Sequence, residues 1–189
     1  MSVEIGNEPR GDQPRIAVIG CGAWGRNIVR CFAQLGALAA VVDNNAETIE
    51  SLVALFGCRA LSAKEAIDDP AIDGLVIATP PSGHKDLALA AIARGKHVFI
   101  EKPVTLDFAE AVAIIEAARA AKRVMMTGHI LQFHPGYRKL KEIVHDGILG
   151  RIQRINANRL NLGAVRREED ALWCLAPHDV SMTLGLVGQ

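Results

Sequence analysis

Two groups of residues in this 189-residue chain have types and spacing suited to chemistry. The first is Gly20-Cys21-Gly22-Ala23-Trp24-Gly25, a G-x-G-x-x-G run directly after the apolar stretch Ile16-Ala17-Val18-Ile19. Gly20 permits a tight turn, Gly22 lets the backbone approach a pyrophosphate, and Gly25 lets the next helix pack closely on the strand. The helix N-terminus then faces the phosphates. Such a run means little alone, but between a strand and a helix it points to a bound dinucleotide. The second group is Glu101-Lys102-Pro103, directly after His97-Val98-Phe99-Ile100. A lysine held between a buried strand and a proline ring has little freedom, and the Lys102–Pro103 bond is a candidate for the cis form. An ammonium fixed there can polarise a substrate hydroxyl or carbonyl at the reactive end of the cofactor.

Further candidates follow from position. Asp43 ends the apolar run Leu38 to Val42, 18 residues beyond Gly25. A carboxylate there can accept both ribose hydroxyls of an adenosine half and repels a 2′-phosphate, which favours NAD over NADP. Asp43 can instead cap the next helix, a task Asn44 or Asn45 could share. His178, in Ala176-Pro177-His178-Asp179, is either an acid–base group or a helix-start histidine, with Asp179 serving the helix dipole. His84 and His129 stand near the carboxyl ends of expected strands, where they can line a cleft. His145, beside Asp146-Gly147, reads as surface.

The elements that must carry these residues alternate. Strands are predicted over Arg15–Ile19, Leu38–Val42, Gly74–Ala78, His97–Ile100 and Val124–Thr127, with helices over Arg26–Leu35, Ala46–Phe56 and His84–Arg94 between them. Ser62 and Glu65 have capping-box spacing for a short helix ended by Asp68-Asp69-Pro70. Asp107 and Glu110 have the same spacing for a helix to about Ala121, with Phe108, Val112 and Ile115 on one face. Strands alternating with helices specify an α/β fold, a doubly wound parallel sheet whose ligands sit at the strands' carboxyl ends. Gly20, Asp43, Thr79, Glu101 and Gly128 all stand at such ends. Beyond Gly128 a helix from Pro135 through Val144, a strand over Ile152–Asn158, an exposed loop over Arg166–Asp170 and a final helix over Pro177–Leu186 are predicted.

Composition narrows the function classes. Lysine plus arginine and aspartate plus glutamate number 21 each, so no global field draws the chain to nucleic acid or to an anionic membrane. No apolar run approaches the roughly 18 residues that span a bilayer, and Met1 to Arg15 lacks the apolar core of a secretory signal. The cytoplasm is the expected compartment and a small molecule the expected partner. Cys21, Cys31, Cys58 and Cys174 lack C-x-x-C spacing, so neither a metal nor a redox site is expected.

The glycine loop, Thr79-Pro80-Pro81-Ser82-Gly83-His84, Glu101-Lys102-Pro103 and a late histidine resemble, in this order, the Gfo/Idh/MocA family of NAD(P)-dependent oxidoreductases. The resemblance runs from about Pro14 to the last residue. Gly20 to Asn27, Arg159-Leu160-Asn161-Leu162-Gly163 and Leu172 to Asp179 look in particular like members acting on nucleotide-activated sugars, such as the UDP-N-acetylglucosaminuronate 3-dehydrogenases. The resemblance implies hydride transfer between a sugar-ring carbon and the nicotinamide, with Lys102 and His178 handling the hydroxyl proton. The expected cofactor-binding set is Gly20, Gly22, Ala23, Trp24, Gly25, Asp43, Thr79, Pro80, His84, Glu101, Lys102 and His129.

The implied organisation is an arm over residues 1–14, a Rossmann domain over 15–128, and a linker helix with an incomplete α+β substrate or oligomerisation domain over 129–189. The sequence departs from the family pattern in two ways. Cys174 stands where many relatives carry an aspartate, four residues before the histidine, and a thiol is a weak hydrogen-bond partner. The family's large antiparallel sheet is also reduced to an opening strand and helix, which cannot bury both their apolar faces. Ile152, Ile155, Leu172, Trp173, Leu175 and Met182 are then left partly exposed. Either another subunit covers them, in a homo-oligomer, or the chain is a truncated relative. A noncatalytic NAD-binding remnant is the competing expectation.

Overall fold

Alternate residues of each apolar strand serve opposite faces of one sheet, and that alternation builds the molecule. A computed structural model describes residues 13–160 and 170–188. The chain divides into two compact units, Met1–Thr127 and Gly128–Gln189.

The first unit runs β1 (Ile16–Ile19), α1 (Gly25–Gln34), β2 (Leu38–Val42), α2 (Ala46–Phe56), β3 (Arg59–Ala60), α3 (Ala63–Asp68), β4 (Gly74–Ile77), α4 (His84–Ala93), β5 (His97–Ile100), α5 (Phe108–Ala120) and β6 (Met125–Thr127). The six strands are parallel in the order β3-β2-β1-β4-β5-β6. This is the doubly wound Rossmann arrangement, with the reversal of strand order between β1 and β4. On one face Ala17, Ile19, Ala40, Val42, Leu75, Ile77, Val98 and Ile100 pack under α3, α4 and α5. On the other, Val18, Val41 and Val76 meet Ile28 and Val29 of α1 and Leu52 of α2. Burying each large aliphatic side chain contributes about 1.5–3 kcal/mol.

Local signals set most element ends. Asn45 caps α2 by accepting the Thr48 N–H, and Gly57 closes that helix in the left-handed region. Ser62 and Glu65 form the reciprocal capping box on α3. Asp107 caps α5 by accepting the Ala109 and Glu110 N–H groups, but the Glu110 carboxylate turns outward to Lys85 of α4. Phe108, Val112 and Ile115 share a face of α5, and it is the outer one: Phe108 is 84% exposed, while Ile114 and Ala118 are buried. Small alanines let α5 approach α4, so the larger apolar side chains do not mark the core. The edge strand β3, two exposed residues long, has no counterpart among the predicted strands.

The second unit contains α6 (Pro135–His145) and α7 (Ala171–Val187). Tyr137 of α6 donates its hydroxyl to the Met182 carbonyl at 2.8 Å. Gly185 makes room for this contact, since a Cβ there would fall 2.3 Å from the Tyr137 oxygen. Gln132 donates to the Ser181 carbonyl and hydroxyl at 2.8 and 2.7 Å. Two expectations are corrected here. Residues 152–158 form no strand, because no described segment pairs with them. The last helix begins six residues before Pro177, where Asp170 accepts the Trp173 N–H as its cap, and Pro177 lies inside it. Leu172 and Trp173 are exposed, and Ile152, Leu175 and Met182 half-buried. The expected arm over 1–14 lies outside the described residues up to residue 12, as do Asn161-Leu162-Gly163 and all of the expected 166–170 loop except Asp170. No helix among the described residues is long and apolar enough to cross a membrane.

Candidate functional site

The carboxyl ends of β1, β2, β4 and β5 are stitched in line by main-chain bonds. Gly20 N–H donates to the Val42 carbonyl at 2.9 Å, Ala78 N–H to Ile19 at 2.8 Å, and Glu101 N–H to Ile77 at 2.9 Å. Candidate residues from four strands therefore share one edge of the sheet.

The glycines divide their work. Gly20 has φ +90° and lies against the Ala78 backbone, so a Cβ would fall 2.6 Å from the Ala78 carbonyl carbon. A Cβ on Gly25 would fall 1.9 Å from the Gly20 carbonyl oxygen. Both positions need glycine for packing. Gly22 differs: it is exposed, and a Cβ there would meet nothing within 4 Å. Its open side is the space a pyrophosphate needs at the start of α1. Ala23 and Trp24 beside it are also exposed.

Asp43 is held from two sides. Its Oδ2 accepts the Cys21 N–H at 2.6 Å and its Oδ1 the Asn45 N–H at 2.9 Å. Asn45, not Asp43, caps α2. The Cys21 thiol points inward, 3.6 Å from the Val42 carbonyl, and burial pushes its pKa up to about 11.

Thr79 and Pro80 follow β4. The Thr79 hydroxyl oxygen is buried and without a hydrogen-bond partner among the described residues, the state of a group that a ligand or water completes. His84 is 1% exposed. The Thr79 carbonyl oxygen lies 2.7 Å from its Nε2, and those of Pro103 and Val104 lie 3.0 and 3.1 Å from Nδ1. The ring thus spans from the end of β4 to the Lys102–Pro103 turn, whose peptide bond is cis. With both ring nitrogens facing main-chain carbonyls, His84 straps the end of β4 to the Lys102–Pro103 turn.

Glu101 is 8% exposed, and Lys102 half-buried. The Glu101 Oε1 accepts the Trp24 indole N–H at 2.9 Å, and its Oε2 accepts the Lys102 N–H at 3.2 Å. The indole bond joins the glycine loop to the Glu101-Lys102-Pro103 turn, and 77 residues of sequence separation hide it.

In the second unit, His178 and His129 meet edge to face, ring centroids 6.3 Å apart. Cys174, half-buried, stands four residues before His178 on the same face of α7. Asp179 accepts two bonds from Arg159, at 2.8 Å each from Nε and Nη2. That guanidinium holds the Asp179 carboxyl below the usual range. The pairing is absent from the sequence reading, where Arg159 figures only in a matched stretch.

The first unit's residues fit a dinucleotide: an open glycine, an oriented carboxylate, a hydroxyl without a partner among the described residues and a lysine stand along one edge. No group of three or more His, Cys, Asp or Glu among the described residues could hold a metal ion.

A family model for an oxidoreductase family with an NAD-binding Rossmann fold matches residues 14–129. The chain is 35% identical over 175 residues to UDP-N-acetylglucosamine 3-dehydrogenase of Acidithiobacillus ferrooxidans, covering 92% of this chain and 54% of that protein. It is 36% identical over 144 residues to inositol 2-dehydrogenase of Rhodococcus jostii, covering 73% and 39%. Among solved structures, myo-inositol 2-dehydrogenase from Lactobacillus plantarum superposes with a TM-score of 0.70 at 27% identity, covering 74% of this chain and 43% of that one. The chain spans about half the length of the first of these relatives, and less of the others. A match over the whole β1–β6 unit, by a family whose relatives carry dehydrogenase names, means that this chain belongs to the Gfo/Idh/MocA oxidoreductases.

Proposed function

We propose that this chain is the dinucleotide-holding part of an NAD-dependent dehydrogenase acting on a ring carbon of a nucleotide-activated sugar. Gly20, Gly22, Ala23 and Gly25 would hold the pyrophosphate, Asp43 the adenosine ribose, and Thr79, Pro80 and Glu101 the path toward the nicotinamide. Bound there, NAD supplies the hydride acceptor or donor at its nicotinamide C4. Lys102 takes the proton of the substrate hydroxyl in the oxidative direction and returns it in the reductive one. His178, on its matched motif, is proposed as a second proton-handling group, and His129, its ring neighbour, as a further contact to the cofactor.

The observation that carries this reading is the position of Glu101-Lys102 at the carboxyl end of β5, on the sheet edge that bears Gly22 and Asp43. NAD rather than NADP is supported by Asp43, a negative group already tied to the loop where a 2′-phosphate would lie. A nucleotide sugar rather than a free cyclitol is supported by Gly20 to Asn27 and Leu172 to Asp179, which look like the stretches of family members acting on nucleotide-activated sugars.

The test is titration with NAD and NADP, followed by turnover with UDP-sugar, free-sugar and inositol panels on wild type and Lys102→Ala. The expected result is tighter NAD than NADP binding, with turnover falling about 10²- to 10⁴-fold in the variant. Tight NAD binding without turnover on any panel would favour a noncatalytic NAD-binding module. That second reading draws on Cys174 in place of the expected aspartate.

A further inference from the structure

The Trp24–Glu101 bond lies outside every role assigned so far. Trp24 belongs to the glycine loop, at the start of α1, and Glu101 to the end of β5. The strand order makes these two places chemically different. Asp43, at the end of β2, marks one side of the loop as the adenosine side, and the loop itself lies over β1. A dinucleotide laid across the reversal of strand order must therefore put its other half over β4 and β5. Glu101 stands on that far side, two strand positions from β1.

Indole nitrogen is a donor only, so Trp24 can serve Glu101 but cannot take a bond back. The carboxylate is otherwise held by the adjacent Lys102 N–H at 3.2 Å, a long bond from its own main chain. At 2.9 Å the indole is the shorter of these two contacts, and a bond to an ionised acceptor is among the stronger kinds. Trp24 is 45% exposed, so its hydrophobic burial is too partial to explain a large side chain here. A phenyl ring would fill much of the same space without the donor.

We propose that Trp24 is a positioning residue: its indole N–H sets the Glu101 carboxylate, and through it the grip on the nicotinamide-side half of the dinucleotide. This rests on the dinucleotide reading above and adds a division of labour within it. The glycine loop fixes the pyrophosphate with its backbone and, through one side chain, reaches across β4 to govern the far half.

The experiment compares binding of NAD with binding of ADP, which carries only the adenosine half and its phosphates. Calorimetry is run on wild type, Trp24→Phe, Glu101→Gln and the double variant. Trp24→Phe is expected to weaken NAD binding about tenfold while ADP binding stays within about twofold. Adding Trp24→Phe to Glu101→Gln should cost little more, because the second change removes a bond already weakened. Equal losses for NAD and ADP would make Trp24 a structural part of the loop and overturn the proposal, as would unchanged NAD binding. A wild-type chain that binds neither NAD nor NADP would instead sink the dinucleotide reading itself, and the proposal with it.

A second measurement does not depend on Trp24→Phe folding. The chain has two tryptophans, Trp24 and Trp173, so in a Trp173→Phe background a single indole N–H resonance reports Trp24. It should move on Glu101→Gln and on adding NAD. A resonance indifferent to Glu101→Gln would overturn the proposal.

Discussion

A methyl group on Gly25 would stand 1.9 Å from the carbonyl oxygen of Gly20, whereas one on Gly22 would stand in open space. The two glycines of one motif should therefore fail in different ways. Gly25→Ala is expected to destabilise the fold by about 1–3 kcal/mol, read from urea unfolding. Gly22→Ala should unfold like wild type yet bind NAD at least several-fold more weakly. Full NAD affinity in Gly22→Ala would contradict the place given to the pyrophosphate.

His84 should behave as a buried strap. Its replacement by alanine leaves the carbonyls of Thr79, Pro103 and Val104 without the ring that faces them. An unsatisfied buried acceptor costs about 1–3 kcal/mol. His84→Ala should lower the unfolding midpoint accordingly, and hydrogen exchange should show faster opening around residues 101–105. A variant as stable as wild type would remove the strap.

Thiol labelling offers a simple check on the core. Cys31 is exposed, while Cys21 and Cys58 are buried and burial raises the pKa of each. Near pH 8 a thiol titrating about 11 presents almost no thiolate. Peptide mapping of the native protein after brief alkylation should find Cys31 modified, with Cys21 and Cys58 protected until denaturant is added. Early modification of Cys21 would show that the loop over it opens.

The Arg159–Asp179 pair gives the second unit an acid limit. The guanidinium bond lowers the folded-state pKa of Asp179 below its unfolded value, near 3.9. The unfolded state thus binds more protons in that range, and stability rises with pH. The contribution is whole above the unfolded pKa and disappears as pH falls through the folded one. Arg159→Gln should be less stable than wild type at pH 6, and the gap should narrow below pH 4. A gap independent of pH would mean that Arg159 acts through packing alone.

Much of this was legible in advance because it is local. Strand, glycine turn and helix follow one another within residues 16–34, and Ser62 with Glu65 announces its own helix. What stayed hidden was set by partners distant in sequence. Nothing in Arg59-Ala60 alternates between apolar and polar, so β3 is visible only once β2 is there to pair with it. Residues 152–158 have the alternation but pair with no strand among the described residues. Phe108 misled by its size, because α5 packs through Ala117, Ala118 and Ala121. In the site, the positions of Gly22, Asp43 and Lys102 could be read from strand ends. The Cys21–Asp43, Trp24–Glu101 and Arg159–Asp179 bonds could not, since each joins groups at least 20 residues apart.

The tether between Asp43 and the glycine loop has an evolutionary consequence. Its donor is the peptide N–H of residue 21, so the carboxylate is oriented by backbone that every amino acid except proline supplies. Position 21 can drift without disturbing the orientation of the Asp43 carboxylate, provided the new side chain fits the pocket behind. Folding has already frozen the carboxylate's rotamer, so a ribose meeting it loses less freedom on binding than a loose aspartate would demand. Preorganisation of this site is thus written in main chain, where mutation has the least purchase.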